Sequence, residues 1–218
     1  MQINGSGSGS GNVSSGNLFV IAAPSGAGKT SLVKALSESD ARLKISVSHT
    51  TRKMRPGEAE GQDYFFVSSV EFQKMTENKE FLEHAIVFGN DYGTSKQWVC
   101  DQLALGMDVI LEIDWQGARQ IQSLFPSTIL IFVLPPSMDA LKERLLRRQQ
   151  DDSHTIAQRM EAAQEEMSHY REFDYLVVND RFEIALRDLQ HILFSTRLTI
   201  KAQIAKQSIF LENLLKKQ

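Results

Sequence analysis

The chain has 218 residues, with 24 Lys and Arg against 27 Asp and Glu, a formal net charge of −3, and 42% hydrophobic residues, which fits one compact unit, or one with a small insertion. A single cysteine, Cys100, excludes an intramolecular disulfide and a Cys-based zinc site, so a buried free thiol in a reducing, cytoplasmic setting is expected. The slightly acidic balance argues against a nucleic-acid partner, and apolar stretches such as Ile129 to Leu134 fall far short of the roughly 18 residues of a membrane span.

Residues 1–16 carry a Gly-Ser alternation from Gly5 to Gly11 without the apolar core of a secretory signal, and read as a disordered, linker-like tail. Leu18 to Ala22 is continuously apolar and ends at Pro24-Ser25-Gly26, which suits a strand buried on both faces of a parallel sheet. Thr30 to Leu36 reads as helix. From about Ser46 to Thr94 the rhythm changes. Tyr64 to Val67 and Phe81 to Phe88 predict strands flanking a helix at Ser69 to Glu77, with turn signals at Pro56-Gly57, Gly61 and Gly89-Asn90, so an inserted subdomain is expected. Val109 to Ile113, Ile129 to Val133 and Tyr175 to Val178 are further apolar runs, separated by helical spacing at Ala118 to Leu124 and Asp139 to Arg148. Met138 to Arg171 is rich in long charged side chains, and the polar interruption from Gln149 to Ser153 predicts two helices with a joint. Phe182 to Lys217 is mostly helical in pattern. Strand and helix in alternation predict an α/β fold, a parallel sheet with right-handed crossovers and helices on both faces.

Ala23-Pro24-Ser25-Gly26-Ala27-Gly28-Lys29-Thr30 follows the first buried strand and opens a helix, the context a P-loop requires. Gly26 and Gly28 allow backbone N–H groups to converge on phosphate oxygens, Lys29 supplies a point charge, and the Thr30 hydroxyl can ligate Mg²⁺. An ordinary glycine turn capping a helix is the alternative, and Ala23 stands where the general pattern has glycine. In Val109-Ile110-Leu111-Glu112-Ile113-Asp114, alternation sends Glu112 and Asp114 to one side at the carboxyl end of a strand, where ligands of such sheets bind. Arg52 and Arg55, three residues apart beside Ser48, Thr50 and Thr51, suit a phosphate dianion; a solvated basic turn fits them too.

Together with Tyr64-Phe65-Phe66, Phe81-Leu82-Glu83-His84, Tyr92-Gly93-Thr94, Glu112 to Gly117, Ile131 to Pro136 and Val177 to Asp180, these motifs closely resemble guanylate kinase over nearly everything from Leu18 onward. The resemblance implies Mg²⁺-dependent transfer of the ATP γ-phosphoryl group to GMP, with deoxy-GMP as a further acceptor. It implies a P-loop core of residues 17–47 and 95–218, a helical lid at about 139–171, and a mixed α/β GMP-binding subdomain at 48–94. By resemblance, Ser25 to Thr30 and Asn179 bind ATP. Arg52, Arg55, Tyr64 and Tyr92 take the GMP phosphate, and Ser48, Glu83 and Thr94 read guanine with Glu112 and Asp114 nearby. Thr30 and Asp114 serve the metal, and Lys29 acts with the lid arginines Arg144, Arg148 and Arg159 in catalysis.

The chemistry agrees. A carboxylate such as Glu83 accepts from guanine N1–H and N2–H, donors that adenine lacks. A second reading, from a different class, is a catalytically silent guanylate-kinase-like module that binds proteins; a third is a kinase for another nucleoside monophosphate. Apart from the resemblance, Glu83 is one acid beside an apolar strand, Arg144 and Arg148 share a helix face that could be plain solvated surface, and Asn179-Asp180 could be a turn ending a strand. None of the five histidines is assigned a role, Trp98 and the phenylalanines read as packing, and the oligomeric state stays open.

Overall fold

The computed structural model describes residues 16–147 and 153–216. The predicted strand and helix after the tail are β1 (Leu18–Ala22) and α1 (Lys29–Glu38). Five parallel strands form the main sheet: β2 (Leu43–Ile45), β7 (Asp108–Leu111), β1, β8 (Ile129–Leu134) and β9 (Tyr175–Val178), in that order. The continuous apolar character of β1 has a direct cause. Phe19 and Ile21 enter one core with Leu32, Val33 and Leu36 of α1 and with α7 (Phe182–Arg197). Leu18 and Val20 enter a second core on the other face, with α3 (Lys96–Ala104) and α4 (Trp115–Leu124).

The chain between β2 and α3 builds a second sheet, ordered β4 (Phe65–Phe66), β3 (His49–Thr50), β6 (Asn90–Ser95) and β5 (Phe81–Val87), with α2 (Ser69–Glu77) inserted between β4 and β5. The expected helix over 69–77 is present, and the Ser68 side chain caps it by accepting the Glu71 N–H. Asn90, taken as a turn residue, instead begins β6. The reversal is made by Phe88 and Gly89, with φ of 48° and 73°, the positive values a two-residue hairpin needs. On β5, the outer strand, the Gln120 side chain of α4 both donates to His84 O and accepts from His84 N–H. Leu82 enters the core beside α4.

After β8, α5 (Met138–Arg147) and α6 (Ser153–Ser168) form a pair with a small core of its own, Leu141, Leu145, Ile156 and Ala163. A 3-10 turn at His169–Glu172 leads into β9, and the segment after it is divided between α7 and α8 (Ile200–Leu215).

Three expectations are corrected. Gly16, placed in the tail, is anchored by its N–H to Leu103 O; residues 1–15 lie outside the described residues. Cys100 on α3 is half-buried rather than buried. The strand expected to run to Ile113 stops at Leu111, the last register pair with β1, because Asp114 already caps α4. Alternation therefore does not set the directions of Glu112 and Asp114.

Candidate active site

The phosphate loop leaves the carboxyl end of β1, the middle strand, and enters α1. Gly26 and Gly28 take φ of 93° and 89°, a conformation only glycine adopts without strain. Their missing side chains also make room. A β-carbon on Gly28 would stand 2.5 Å from Asn179 Nδ2, and one on Gly26 would stand 3.0 Å from Leu141 and Leu145 of α5. The loop is braced from behind. Asn179 Nδ2 donates to Ala27 O at 2.8 Å, while Arg144 donates to Ala27 O at 3.1 Å and to Asn179 O at 2.8 Å. Lys29 reaches across to Ile113 O at 3.3 Å, and the Thr30 hydroxyl donates to Glu112 Oε2 at 3.1 Å.

One cleft joins this loop to the second sheet. Ser25, Gly26, Gly28, Lys29, Thr30, Glu112 and Asp114 line it on one side, and Ser48, Arg55, Tyr64, Glu83 and Tyr92 on the other. Glu83 is only 3% exposed. Its Oε1 accepts the Thr94 hydroxyl at 2.6 Å, and its Oε2 lies against the first turn of α4, where a β-carbon on Gly117 would meet it at 2.6 Å. Burial pushes its carboxyl up to about 7, against the pull of the Thr94 hydroxyl, with the Asp114 charge adding to the rise and Lys29 opposing it. Tyr64 is pushed up to about 12 by burial, with Tyr92 and Glu112 adding.

Several residues singled out from the sequence stand just outside the cleft wall. Arg52 is held by a two-pronged pair with Glu58, at 2.7 and 3.0 Å, and lies over the Tyr64 ring. That pairing holds its guanidinium charged, with the nearby Tyr92 adding to the effect. Thr94 is fully buried beneath Glu83, and Ala27, Asn179 and Arg144 form or brace the back of the loop. Arg144, expected over the phosphates, thus meets two carbonyls instead. Asp114, expected at the metal with Thr30, spends Oδ1 on the Gly117 N–H at 2.8 Å; the carboxylate beside Thr30 is Glu112. Arg159 lines the cleft from α6, 6.0 Å from the Phe88 ring centroid. Arg148 lies outside the described residues.

A family model described as guanylate kinase matches residues 15–196. The chain belongs to the guanylate kinase family. The guanylate kinase of Coxiella burnetii is 57% identical over 202 residues, covering 93% of this chain and 98% of that protein. That of Legionella pneumophila strain Lens is 53% identical over 204 residues, covering 94% and 98%. The crystal structure of guanylate kinase from Anaplasma phagocytophilum superposes with a TM-score of 0.79 at 32% identity, over 94% of this chain and 98% of that one.

In this guanylate kinase the cleft also contains residues that sequence reasoning passed over. Ala85, Val87 and Phe88 form an apolar wall on β5 and its hairpin, Ile113 lies near Lys29, and Glu166 enters from α6. Glu166 stands seven residues after Arg159, a spacing that puts both on one helix face. That spacing was the one available signal. Gly117 gave none, since its role depends on a side chain from another element.

Proposed function

We propose that this guanylate kinase works in the cytoplasm and transfers the γ-phosphoryl group of ATP to GMP, and to deoxy-GMP, with Lys29 and Arg159 facing the phosphates and Glu83 reading the base. The observation that carries this reading is the single cleft in which a P-loop faces a buried carboxylate and Arg55. Guanine presents N1–H and N2–H on one edge, and ionised Glu83 can accept both while it keeps the Thr94 hydroxyl. Adenine offers no N1–H there and would leave the buried acceptor unpaired, a mismatch that can cost about 10⁴ in specificity.

The roles divide by what each group touches. Arg55, Tyr64 and Tyr92 take the acceptor phosphate from the cleft wall, and Ser48 joins Glu83 at the base. Arg52, oriented by Glu58, adds charge behind Tyr64 and Tyr92. The loop amides of residues 25–30 cradle the donor. Asn179 and Arg144 hold Ala27 O, and so fix the loop's shape. The acceptor is already an anionic phosphate, so no side chain need serve as a strong base. Lys29 and Arg159 supply positive charge as charge shifts along the β–γ bridge.

The residues present fit Mg²⁺. Thr30 Oγ1 and Glu112 Oε2 converge at 3.1 Å beside the loop, two hard oxygens of the kind that ion takes together with substrate phosphates and water. Thr30 and Glu112 would hold it, with Asp114 close by on the same wall. When bound, Mg²⁺ supplies charge neutralisation at the donor phosphates.

A coupled assay with GMP, deoxy-GMP and AMP as acceptors tests the reading. GMP is expected to be phosphorylated by ATP at a kcat/KM at least about 10³ above AMP. Equal rates with GMP and AMP would remove the role given to Glu83.

A further inference from the structure

One titratable side chain in the cleft has no part in the transfer described above. The Glu166 carboxylate lines the cleft from α6 together with Ser25 and Lys29 of the phosphate loop, and the nearby Ser25 backbone N–H and Lys29 charge favour its ionised form, with Asp114 as the nearby negative charge. Ser25 belongs to the phosphate loop, and Lys29 is the loop cation that reaches the β- and γ-phosphates in such sites. A carboxylate beside a loop amide and within the field of that lysine stands next to the same two groups that a donor phosphate oxygen needs. Glu166 is thus an anion placed where the ligand's anion belongs.

Its location on the loop narrows which phosphate it imitates. The amides nearest the start of α1, at Gly28 to Thr30, lie under the helix N-terminus and suit the inner phosphate. Ser25 lies at the other end of the loop from α1, and Arg55 and Tyr92 line the same cleft, so an oxygen at Ser25 corresponds to the outermost phosphate. Burial raises the Glu166 carboxyl above its ordinary range, partly offset by the Ser25 N–H and by Lys29, so its charge rests on these two loop groups.

We propose, on the reading that this cleft is the ATP and GMP site, that Glu166 stands in for the terminal phosphate of the donor in the nucleotide-free enzyme, and that seating a triphosphate displaces it whereas seating a diphosphate leaves it in place. Glu166 thereby sets the relative affinity for ATP and ADP. Loading ATP moves the α6 carboxylate away from the loop. Once the terminal phosphate has left for the acceptor, the carboxylate can return to Ser25 with ADP still bound.

The test is calorimetric titration of the full chain and of Glu166→Gln with the non-hydrolysable triphosphate AMP-PNP and with ADP, each with Mg²⁺. Removing a like charge next to the terminal phosphate is expected to tighten AMP-PNP about tenfold and ADP no more than about twofold. Glu166→Ala, which removes both charge and contact, should give the same split, and it serves if the glutamine variant folds poorly. In turnover, Glu166→Gln should lower KM for ATP and leave KM for GMP unchanged. No tightening of AMP-PNP in a folded variant, or equal tightening of both nucleotides, overturns the proposal. The titration needs no acceptor and no turnover, so its outcome is separate from failure of the GMP assignment, which would appear as no phosphorylation of GMP by the unaltered enzyme.

Discussion

On the proposed reading, Glu83 carries base recognition in one carboxyl. Burial pushes it up to about 7, yet guanine's two donors require its ionised form. GMP affinity should therefore depend on pH. KM for GMP should rise about tenfold between pH 8 and pH 6 beyond the change seen in Glu83→Gln. That variant shares the titration of the GMP phosphate itself, so the difference between the two profiles isolates the carboxyl. The same shift has a stability consequence of definite sign. The folded carboxyl holds its proton to about 7, against an ordinary value of 4.5, so the native state binds more protons and loses stability as pH rises through that interval. Denaturant unfolding of Glu83→Gln relative to the parent should gain roughly 1–3 kcal/mol between pH 4.5 and pH 8. Lys29 belongs to the donor side. Lys29→Ala should lower kcat by about 10²–10³ with little change in KM for GMP, and steady-state rates at saturating nucleotides check it.

Helix α4 shows how one element serves both packing and specificity. Asp114 caps it through the Gly117 N–H, Ile121 and Ala118 bury its inner face, and Gly117 leaves the space that Glu83 Oε2 occupies. In an open helix, alanine in place of glycine would stabilise by about 1 kcal/mol. Here the new β-carbon would stand 2.6 Å from Glu83 Oε2 and 3.1 Å from Ile113 Cδ1. The carboxylate is the mobile partner and must shift. Gly117→Ala should therefore leave Tm nearly unchanged while raising KM for GMP about tenfold and leaving KM for ATP alone. A kinetic comparison with both substrates, alongside a thermal melt, decides it. The Phe88-Gly89 hairpin is a second case. A bulky residue at φ 48° is strained, and it places the ring where Arg159 of α6 meets it.

At the scale of the whole molecule, function and stability occupy opposite ends of the parallel sheet. The carboxyl ends of β1 and β7 lead into the cleft. At the amino end of β7, the fully buried Asp108 accepts from Asn17 N–H at 2.7 Å and from Arg197 Nε at 2.6 Å, and Arg197 also pairs with Asp40. This cluster ties the start of β1, the end of α1, β7 and the end of α7 together. Arg197→Met would leave Asp108 buried without its cation, which typically costs 3–5 kcal/mol. Chemical denaturation should show that loss. Activity measured well below the lowered Tm should stay close to the parent, because the cluster lies away from the cleft.

The phosphate loop, the alternating α/β order and α2 were legible in the sequence because each depends on neighbours in the chain: glycines beside Lys29-Thr30, apolar runs of strand length, and Ser68 before a helical pattern. Strands β2 and β3, with three and two residues, are too short for alternation to register and exist because a partner strand pairs with them, whereas β4 falls within the aromatic run Tyr64 to Val67 read as a strand. The alternation in Val-Ile-Leu-Glu-Ile-Asp mimicked a longer strand because a helix cap and a strand end can share one local pattern. Residue types by themselves marked the phosphate loop and supplied side chains able to meet a second anion, while the roles beyond the loop came from the family resemblance. Tertiary packing decided which atom each one meets: Glu83 on Thr94 and Gly117, Arg144 on Ala27, Thr30 on Glu112. The reason is physical. Spacing along a chain sets the direction of a side chain only within its own helix or strand, whereas a hydrogen bond across the cleft depends on how several such elements are stacked.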